Sequence, residues 1–251
     1  MDWHARYSQQ ARWTRDLRGY LFQKAGLDRA HRVLEVGCGT GAILSELDSP
    51  ASLTYAGTQC QCHGLDLAPA ALAEARIHAP GADLVRGDAL SLPYSDSTFD
   101  ITFCHFLLLW VRDPLQAVRE MARVTGPGGS VLALAEPDYS QRVDQPESLA
   151  PLGRWQAEAL RQQGADPSFG ARLADTFARA GIEIIETGTI QRSENEAPRA
   201  ERDQEWAVLE ADLAESVAGE DIQKMKRLDE QAWERGERVL FVPTYFVWGR
   251  V

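Results

Sequence analysis

The chain is short of cysteine and has no long apolar run, and both shortages narrow its class. Four cysteines, Cys38, Cys60, Cys62 and Cys104, in 251 residues do not resemble the disulfide framework of a small secreted fold, so reduced thiols are expected. The longest apolar stretch, Ile101 to Val111, contains His105 and falls short of the roughly 20 residues that span a bilayer. The segment Met1-Asp2-Trp3-His4-Ala5-Arg6-Tyr7 lacks the apolar core of a signal peptide, and the expectation is a cytoplasmic protein without a membrane span. Positive charge is scarce as well: 26 Lys and Arg face 37 Asp and Glu, a formal net charge of -11. That balance opposes nucleic-acid binding, which relies on a basic surface to neutralise phosphates. Internal repeats and low-complexity tracts are absent.

What the sequence does contain is a branched apolar run, Val33-Leu34-Glu35-Val36, that breaks into Gly37-Cys38-Gly39-Thr40-Gly41. A buried strand must turn sharply into a helix here. Glycines at the turn permit positive φ and let a ligand lie against bare backbone at the strand's carboxyl end. Gly37-x-Gly39-x-x-Ala42 also satisfies the dinucleotide fingerprint in its G-x-G-x-x-A form, so the turn alone leaves the nucleotide cofactor open. Cys60-Gln61-Cys62-His63 invites a zinc reading. Paired structural zinc ligands are normally two or more residues apart, however, and no second Cys/His pair follows, so a strand is expected there and no metal site.

From residue 33 to about 136, strand and helix signals alternate, the pattern of a parallel sheet covered by helices. The strands are expected at Val33 to Val36, Cys62 to Asp66, Asp83 to Val85, Phe99 to Phe103 and Ser130 to Leu134. Between Pro114 and Val124, Leu115, Val118, Met121 and Ala122 form an amphipathic stripe, which Gly126-Pro127-Gly128-Gly129 ends. Upstream, Trp13, Leu17, Tyr20 and Leu21 share one helical face and Gly26 stands at the C-cap position. After Glu136 prolines punctuate the chain, with a helix from Leu152 to Gln163 and another from Gly170 to Ala180. Ile182 to Thr187 alternates as a half-exposed strand. Residues 201–235 are charge-rich but keep apolar stripes at Trp206, Leu209, Leu213 and Val217 and at Ile222, Met225 and Leu228. The run from Val239 to Trp248 reads as a closing strand. The whole is expected to be one domain over 1–251, with a leading helical lid in 1–25 and cap insertions at 138–165 and 195–235.

With Gly64-Leu65-Asp66-Leu67, Arg86-Gly87-Asp88-Ala89 and Glu120-Met121-Ala122-Arg123-Val124 added to the glycine turn, nearly the whole chain resembles the class I S-adenosylmethionine-dependent methyltransferases. The resemblance implies an α/β, Rossmann-like seven-stranded sheet of order 3-2-1-4-5-7-6, its last strand antiparallel, with helices on both faces and helical cap insertions. It also implies S-adenosylmethionine as cofactor. In that family the glycines approach the methionine portion, the second-strand acid binds the ribose hydroxyls and the third-strand aspartate takes the adenine amino group. Carried over by position, the cofactor-binding set is Glu35, Gly37, Cys38, Gly39, Gly41, Asp66, Leu67, Asp88, Ala89, Cys104 and His105. Asp66 would suit NAD equally; Asp88 and the terminal aromatic strand favour the methyltransferase. One departure is the stretch from Gly41 to Asp66, longer than usual, in which Ser49 to Gly57 is expected to loop out.

Methyl transfer from a sulfonium needs alignment of the acceptor and exclusion of water more than it needs a base. His105, directly after the fourth strand, is the candidate base should the acceptor carry a proton to be removed, against a packed or backbone-bonded role. Tyr139 is expected in the pocket, beside Glu136 and Asp138, whose alternative role is to cap loop backbone. Tyr7 and Arg12 are further candidate ligands from the leading helix. Trp155, Trp206 and Trp233 offer aromatic surface or local core. No Asn-Pro-Pro-Tyr or Asp-Pro-Pro-Tyr tetrapeptide stands at Cys104-His105-Phe106-Leu107, so the likeness is to the small-molecule branch, with a small-molecule acceptor on carbon, oxygen or nitrogen. The alternatives are a partner-binding protein that retains the fold, or an NAD(P)-dependent oxidoreductase. Oligomeric state is not legible.

Overall fold

The computed structural model describes residues 2–48, 60–190 and 198–251. Two N-terminal helices, α1 (Trp3–Trp13) and α2 (Arg15–Ala25), precede β1 (Arg32–Val36), α3 (Leu44–Asp48), β2 (Gln61–Asp66), α4 (Pro69–His78), β3 (Asp83–Arg86) and β4 (Phe99–Cys104). Then follow α5 (Pro114–Val124), β5 (Thr125–Pro137), β6 (Val143–Gln145), α6 (Ala150–Gln162), α7 (Leu173–Arg179), β7 (Glu183–Ile190), α8 (Arg199–Leu213), α9 (Gly219–Glu234), β8 (Val239–Phe241) and β9 (Thr244–Arg250). The main sheet runs β3-β2-β1-β4-β5-β9-β7. Its first five strands are parallel, and β9 enters antiparallel between β5 and β7. Counting only main-sheet strands, this is the expected order 3-2-1-4-5-7-6.

Central strands here are buried on both sides, so successive residues serve different cores. Ile101 and Phe103 pack with Phe22, Leu44 and Leu72 on one face, while Cys104, Val131 and Ala133 pack with Val118, Met121 and Phe177 on the other. Phe103 meets Phe22 edge to face at 5.0 Å, and each fully buried ring contributes on the order of 2–3 kcal/mol of hydrophobic stabilisation. Helix α5 forms where its stripe predicts, with Pro114 in the first turn and the Asp113 carboxylate accepting from the Gln116 N–H at 3.0 Å. The α6, α8 and α9 stripes build a separate small core, in which Leu152, Trp206, Leu209, Leu213 and Ile222 are buried.

Three expectations are corrected. The leading helix is two helices, because Thr14 leaves helical geometry at φ -107°, ψ 4° and its hydroxyl donates back to the Ala11 carbonyl; Tyr20 then lies largely exposed instead of on the packing face. The closing run is likewise two strands, broken at Val242-Pro243, so that β8 leaves the main sheet and pairs with β6 in a two-stranded ribbon. The 170–180 helix opens with a short tight turn, and α7 begins only at Leu173. The expected surface loop at Ser49 to Gly57 lies outside the described residues. Among the described residues no helix is long and apolar enough to cross a membrane.

Candidate functional site

The site begins where β1 ends. Gly37 and Gly39 have φ of +75° and +52°, a region that costs other residues about 1–2 kcal/mol. A Cβ on Gly37 would stand 2.6 Å from Leu107 Cδ1, and one on Gly39 would stand 3.1 Å from the Tyr7 ring. Both glycines therefore keep backbone open beneath side chains that close from above. The Gly37 and Cys38 N–H groups donate to the Leu65 carbonyl at 2.7 and 3.0 Å, which locks the turn to β2. At the end of β2, the Asp66 carboxylate accepts from the Gly39 N–H and from the Ala68 N–H, both at 2.8 Å. These two bonds fix the carboxylate between the glycine turn and the start of α4.

A second turn, after β4, faces the first. Phe106 holds φ +54° although it is not glycine, a conformation that must be imposed by its surroundings. Its N–H donates to the Ala135 carbonyl at 2.9 Å. The Glu136 carboxylate then collects the N–H groups of Leu107 and Leu108 on Oε1, each at 3.0 Å, and those of Leu108 and Leu109 on Oε2, at 3.1 and 3.3 Å. Glu136 is fully buried, and burial raises its carboxyl to about 7 against the opposing effect of these bonds. Asp138 is also a backbone cap, accepting from the Ser140 N–H at 3.0 Å and the Ala171 N–H at 3.3 Å. The capping role weighed for Glu136 and Asp138 is the one observed.

Between the two turns, roofed by α1, α6 and α8, lies a cavity of about 440 Å³, within the range of small-molecule sites. Glu35, Gly37, Cys38, Gly39 and Asp66 line its floor, His105 and Tyr139 its inner wall. Glu35 is buried and its Oε2 has no hydrogen-bond partner. Burial pushes its carboxyl well above the ordinary value, with the Arg18 guanidinium pulling the other way. His105 Nε2 lies 3.0 Å from the Thr14 hydroxyl, which also accepts from Arg18 Nη1 at 2.6 Å. Burial, and secondarily the Arg18 charge, push His105 well below the usual imidazole value, so the ring is neutral. Burial raises the Tyr139 hydroxyl to about 12.

Not every predicted residue reaches the cavity. Gly41 packs instead on α4, where a Cβ would meet Ala75 at 3.2 Å. Cys104 is fully buried, its Sγ 3.9 Å from Glu136 Oε1. Leu67 and Asp88 are exposed at the open edge beyond β2 and β3, with the Asp88 carboxylate accepting from the Leu90 N–H at 2.9 Å, and Ala89 is buried beside them. Arg12 points to solvent, and Trp155 and Trp206 belong to the cap core. Trp233 carries the Arg202 guanidinium 4.8 Å from its ring centre.

The roof helices fall within the segments 1–25, 138–165 and 195–235, but on α1 the sequence reading singled out only Tyr7 of the lining residues. Trp3, Arg6 and Gln10 line the cavity together with Tyr7, and their spacing, i, i+3, i+4 and i+7, is the signal of one helix face. Arg6 binds Glu205 of α8 through both carboxylate oxygens, closing α1 onto the cap. Trp110, 45% exposed, stands at the rim with Trp3, 50% exposed. Among the described residues no group of His, Cys, Asp and Glu is arranged to hold a metal ion.

Residues 34–133 match the family model described as a methyltransferase domain. The demethylmenaquinone methyltransferase of Bacillus licheniformis is 30% identical over 174 residues, covering 68% of this chain and 67% of that protein. The malonyl-acyl-carrier-protein O-methyltransferase of Halorhodospira halophila is 34% identical over 132 residues, which are 51% of this chain and 43% of that protein, so the chain spans less than half its length. Among solved structures, a methyltransferase candidate from Bacillus halodurans C-125 shares the fold with a TM-score of 0.62 at 18% identity, covering 92% of this chain and 96% of that one. The chain belongs to the class I S-adenosylmethionine-dependent methyltransferase family.

Proposed function

We propose that this chain transfers the methyl group of S-adenosylmethionine to a small-molecule acceptor. The observation that carries the reading is one continuous cavity that joins the glycine turn to the wall formed by His105 and Tyr139. The residues fit the cofactor. The unpartnered, buried Glu35 oxygen suits the ammonium of its amino-acid portion, the fixed Asp66 carboxylate suits the ribose hydroxyls, and Gly37 and Gly39 offer bare backbone beneath Leu107 and Tyr7. Asp88, with Leu67 and Ala89 beside it at the open edge beyond β2 and β3, would hold the adenine. When bound, S-adenosylmethionine supplies a methyl group already activated by its sulfonium.

The protein's share of the chemistry is then alignment and exclusion of water. Tyr7 and the Arg6–Glu205 pair cover the cavity from above, and the turn held by Glu136 sets Phe106 and Leu107 against the floor. His105 is neutral and oriented by Thr14; its depressed basicity supports a positioning role, with proton acceptance reserved for acceptors that release a proton during attack. Tyr139, protonated at ordinary pH, offers a hydrogen bond from the same wall. The acidic chain, at -11, supports a small-molecule over a nucleic-acid acceptor, and we infer a cytoplasmic setting. The test is transfer of radiolabelled methyl from S-adenosylmethionine into extracted metabolites by purified protein. Labelled product that disappears in Asp66→Ala is expected; no labelled product in any extract would overturn the catalytic reading.

A further inference from the structure

The cavity has a polar end that the cofactor does not explain. Asp212 projects into it from α8, opposite Gln156 and Gln163 at the end of α6. Gln163 Nε2 donates to Asp212 Oδ1 at 3.1 Å. Gln156 is buried, its side-chain oxygen accepts from Arg142 Nη1 at 2.5 Å, and its side chain works against the upward shift that burial gives Asp212. Arg142 is held in turn by both oxygens of Asp144, at 2.8 and 2.9 Å. Asp212 is thus a half-buried carboxylate held at the cavity wall by a hydrogen bond from the exposed Gln163, with the buried Gln156 beside it. Burial raises its carboxyl above the ordinary value, as expected for a charge that has lost part of its water.

The charge inventory of the cavity gives this group a meaning. Among the described residues the lining carries three carboxylates, Glu35, Asp66 and Asp212, and a single cation, Arg6. Arg6 is committed to Glu205 and Gln9 and lies 5.0 Å from the ring centre of Trp13. Glu35 and Asp66 stand at the glycine turn. That leaves Asp212 as the remaining carboxylate of the lining; it and Tyr139 lie within electrostatic reach of each other and of Arg6, whose guanidinium is engaged by Glu205.

We propose that Asp212, set by Gln156 and Gln163, is the specificity residue for the methyl acceptor, and that it selects a planar apolar molecule presenting a hydrogen-bond donor, an amine or a phenol hydroxyl, over one presenting a carboxylate. The proposal rests on the methyltransferase reading. A carboxylate at this end would meet a like charge in a partly desolvated space with no uncommitted cation in the lining to offset it, whereas a donor restores to Asp212 the hydrogen bond that burial removed. Aromatic walls supply the affinity for a flat body, and the carboxylate supplies the choice between polar substituents.

Calorimetry on the full chain distinguishes the two layers of the argument. S-adenosylhomocysteine is titrated first, then 2-naphthol, tryptamine or 2-naphthoate is titrated into the saturated protein, for the native chain, Asp212→Asn and Asp212→Lys. The native protein is expected to bind 2-naphthol and tryptamine at least tenfold more tightly than 2-naphthoate. Asp212→Asn should weaken tryptamine about tenfold with S-adenosylhomocysteine affinity retained, and Asp212→Lys should move the preference to 2-naphthoate. Equal or tighter binding of 2-naphthoate by the native protein, no distinction among the three probes, or an unchanged ranking in both variants would overturn the proposal. Failure of S-adenosylhomocysteine itself to bind would instead overturn the cofactor reading.

Discussion

Glu136 has two opposing influences on its charge, and their balance is measurable. Its carboxylate accepts from the N–H groups of Leu107, Leu108 and Leu109, which favours ionisation, while complete burial disfavours it and prevails, raising the group from 4.5 to about 7. A carboxyl raised on folding stabilises the native state fully below its unfolded value. The contribution is lost as pH rises through the folded value, because the unfolded chain gives up its proton first. From pH 5 to pH 8 the loss should be about 2–3 kcal/mol, at 1.36 kcal/mol per unit over the roughly two units between pH 5 and the folded value. Glu136→Gln mimics the protonated carboxyl at every pH and removes the dependence. Urea denaturation of both proteins at pH 5 and pH 8 isolates the effect, because other titrating groups cancel in the difference. The native protein should lose about 2–3 kcal/mol relative to Glu136→Gln over that interval. A difference that is flat, or that grows in favour of the native protein as pH rises, would show that the three N–H donors outweigh burial and that the carboxylate is ionised throughout.

Other consequences follow from the same contacts. Gly37→Ala places a methyl group at φ +75° and 2.6 Å from Leu107 Cδ1, so it should cost about 1–2 kcal/mol and lower Tm by about 2–8 °C, with cofactor affinity reduced tenfold or more; unchanged Tm in differential scanning calorimetry would refute the strained turn. His105, next to Arg18 and bonded to Thr14, should stay neutral from about pH 6 to pH 8 by nitrogen-15 NMR, and a titration inside that range would contradict its depressed basicity. Arg6 and Glu205 have side chains only 8% and 29% exposed, so a double-mutant cycle of Arg6→Ala and Glu205→Ala should give a coupling above the surface ion-pair norm, at least about 1 kcal/mol. Faster hydrogen exchange in α1 should accompany either single change, and additive effects would show that the pair does not hold the roof.

Much of the sheet could be read along the chain because its signals are local. The branched strand ending in Gly37, Gly39 and Gly41, the Asp66 strand end and the α5 stripe each occupy a few consecutive residues, and burial on both faces of β5 leaves a continuous apolar run from Val131 to Ala135. What escaped depends on partners distant in sequence. The β6–β8 ribbon is pinned by Arg238, which bonds Asp144, 94 residues away, and Asp229 on α9, and nothing near Arg238 announces either partner. Thr14, where the leading helix breaks, meets His105, 91 residues away, through its hydroxyl, a meeting fixed by tertiary packing. The floor of the site was legible for the same reason as the sheet; of the roof the segments were legible but not the residues, because Arg6 and Asp212 gain their roles only where α1, α6 and α8 converge. The aromatic reading of Trp155 and Trp206 went to the cap core because their stripes needed burial among the helices themselves.

The central claim, that the floor between Glu35 and Asp66 holds S-adenosylmethionine, is tested most directly by isothermal titration of the purified chain with S-adenosylmethionine, S-adenosylhomocysteine and NAD. The account predicts saturable binding of the first two and none of NAD, with a loss of about 1.5–3 kcal/mol in Asp66→Ala, the range for a hydrogen bond to a charged group. Absence of heat with S-adenosylmethionine, tighter binding of NAD, or undiminished affinity in Asp66→Ala would contradict it.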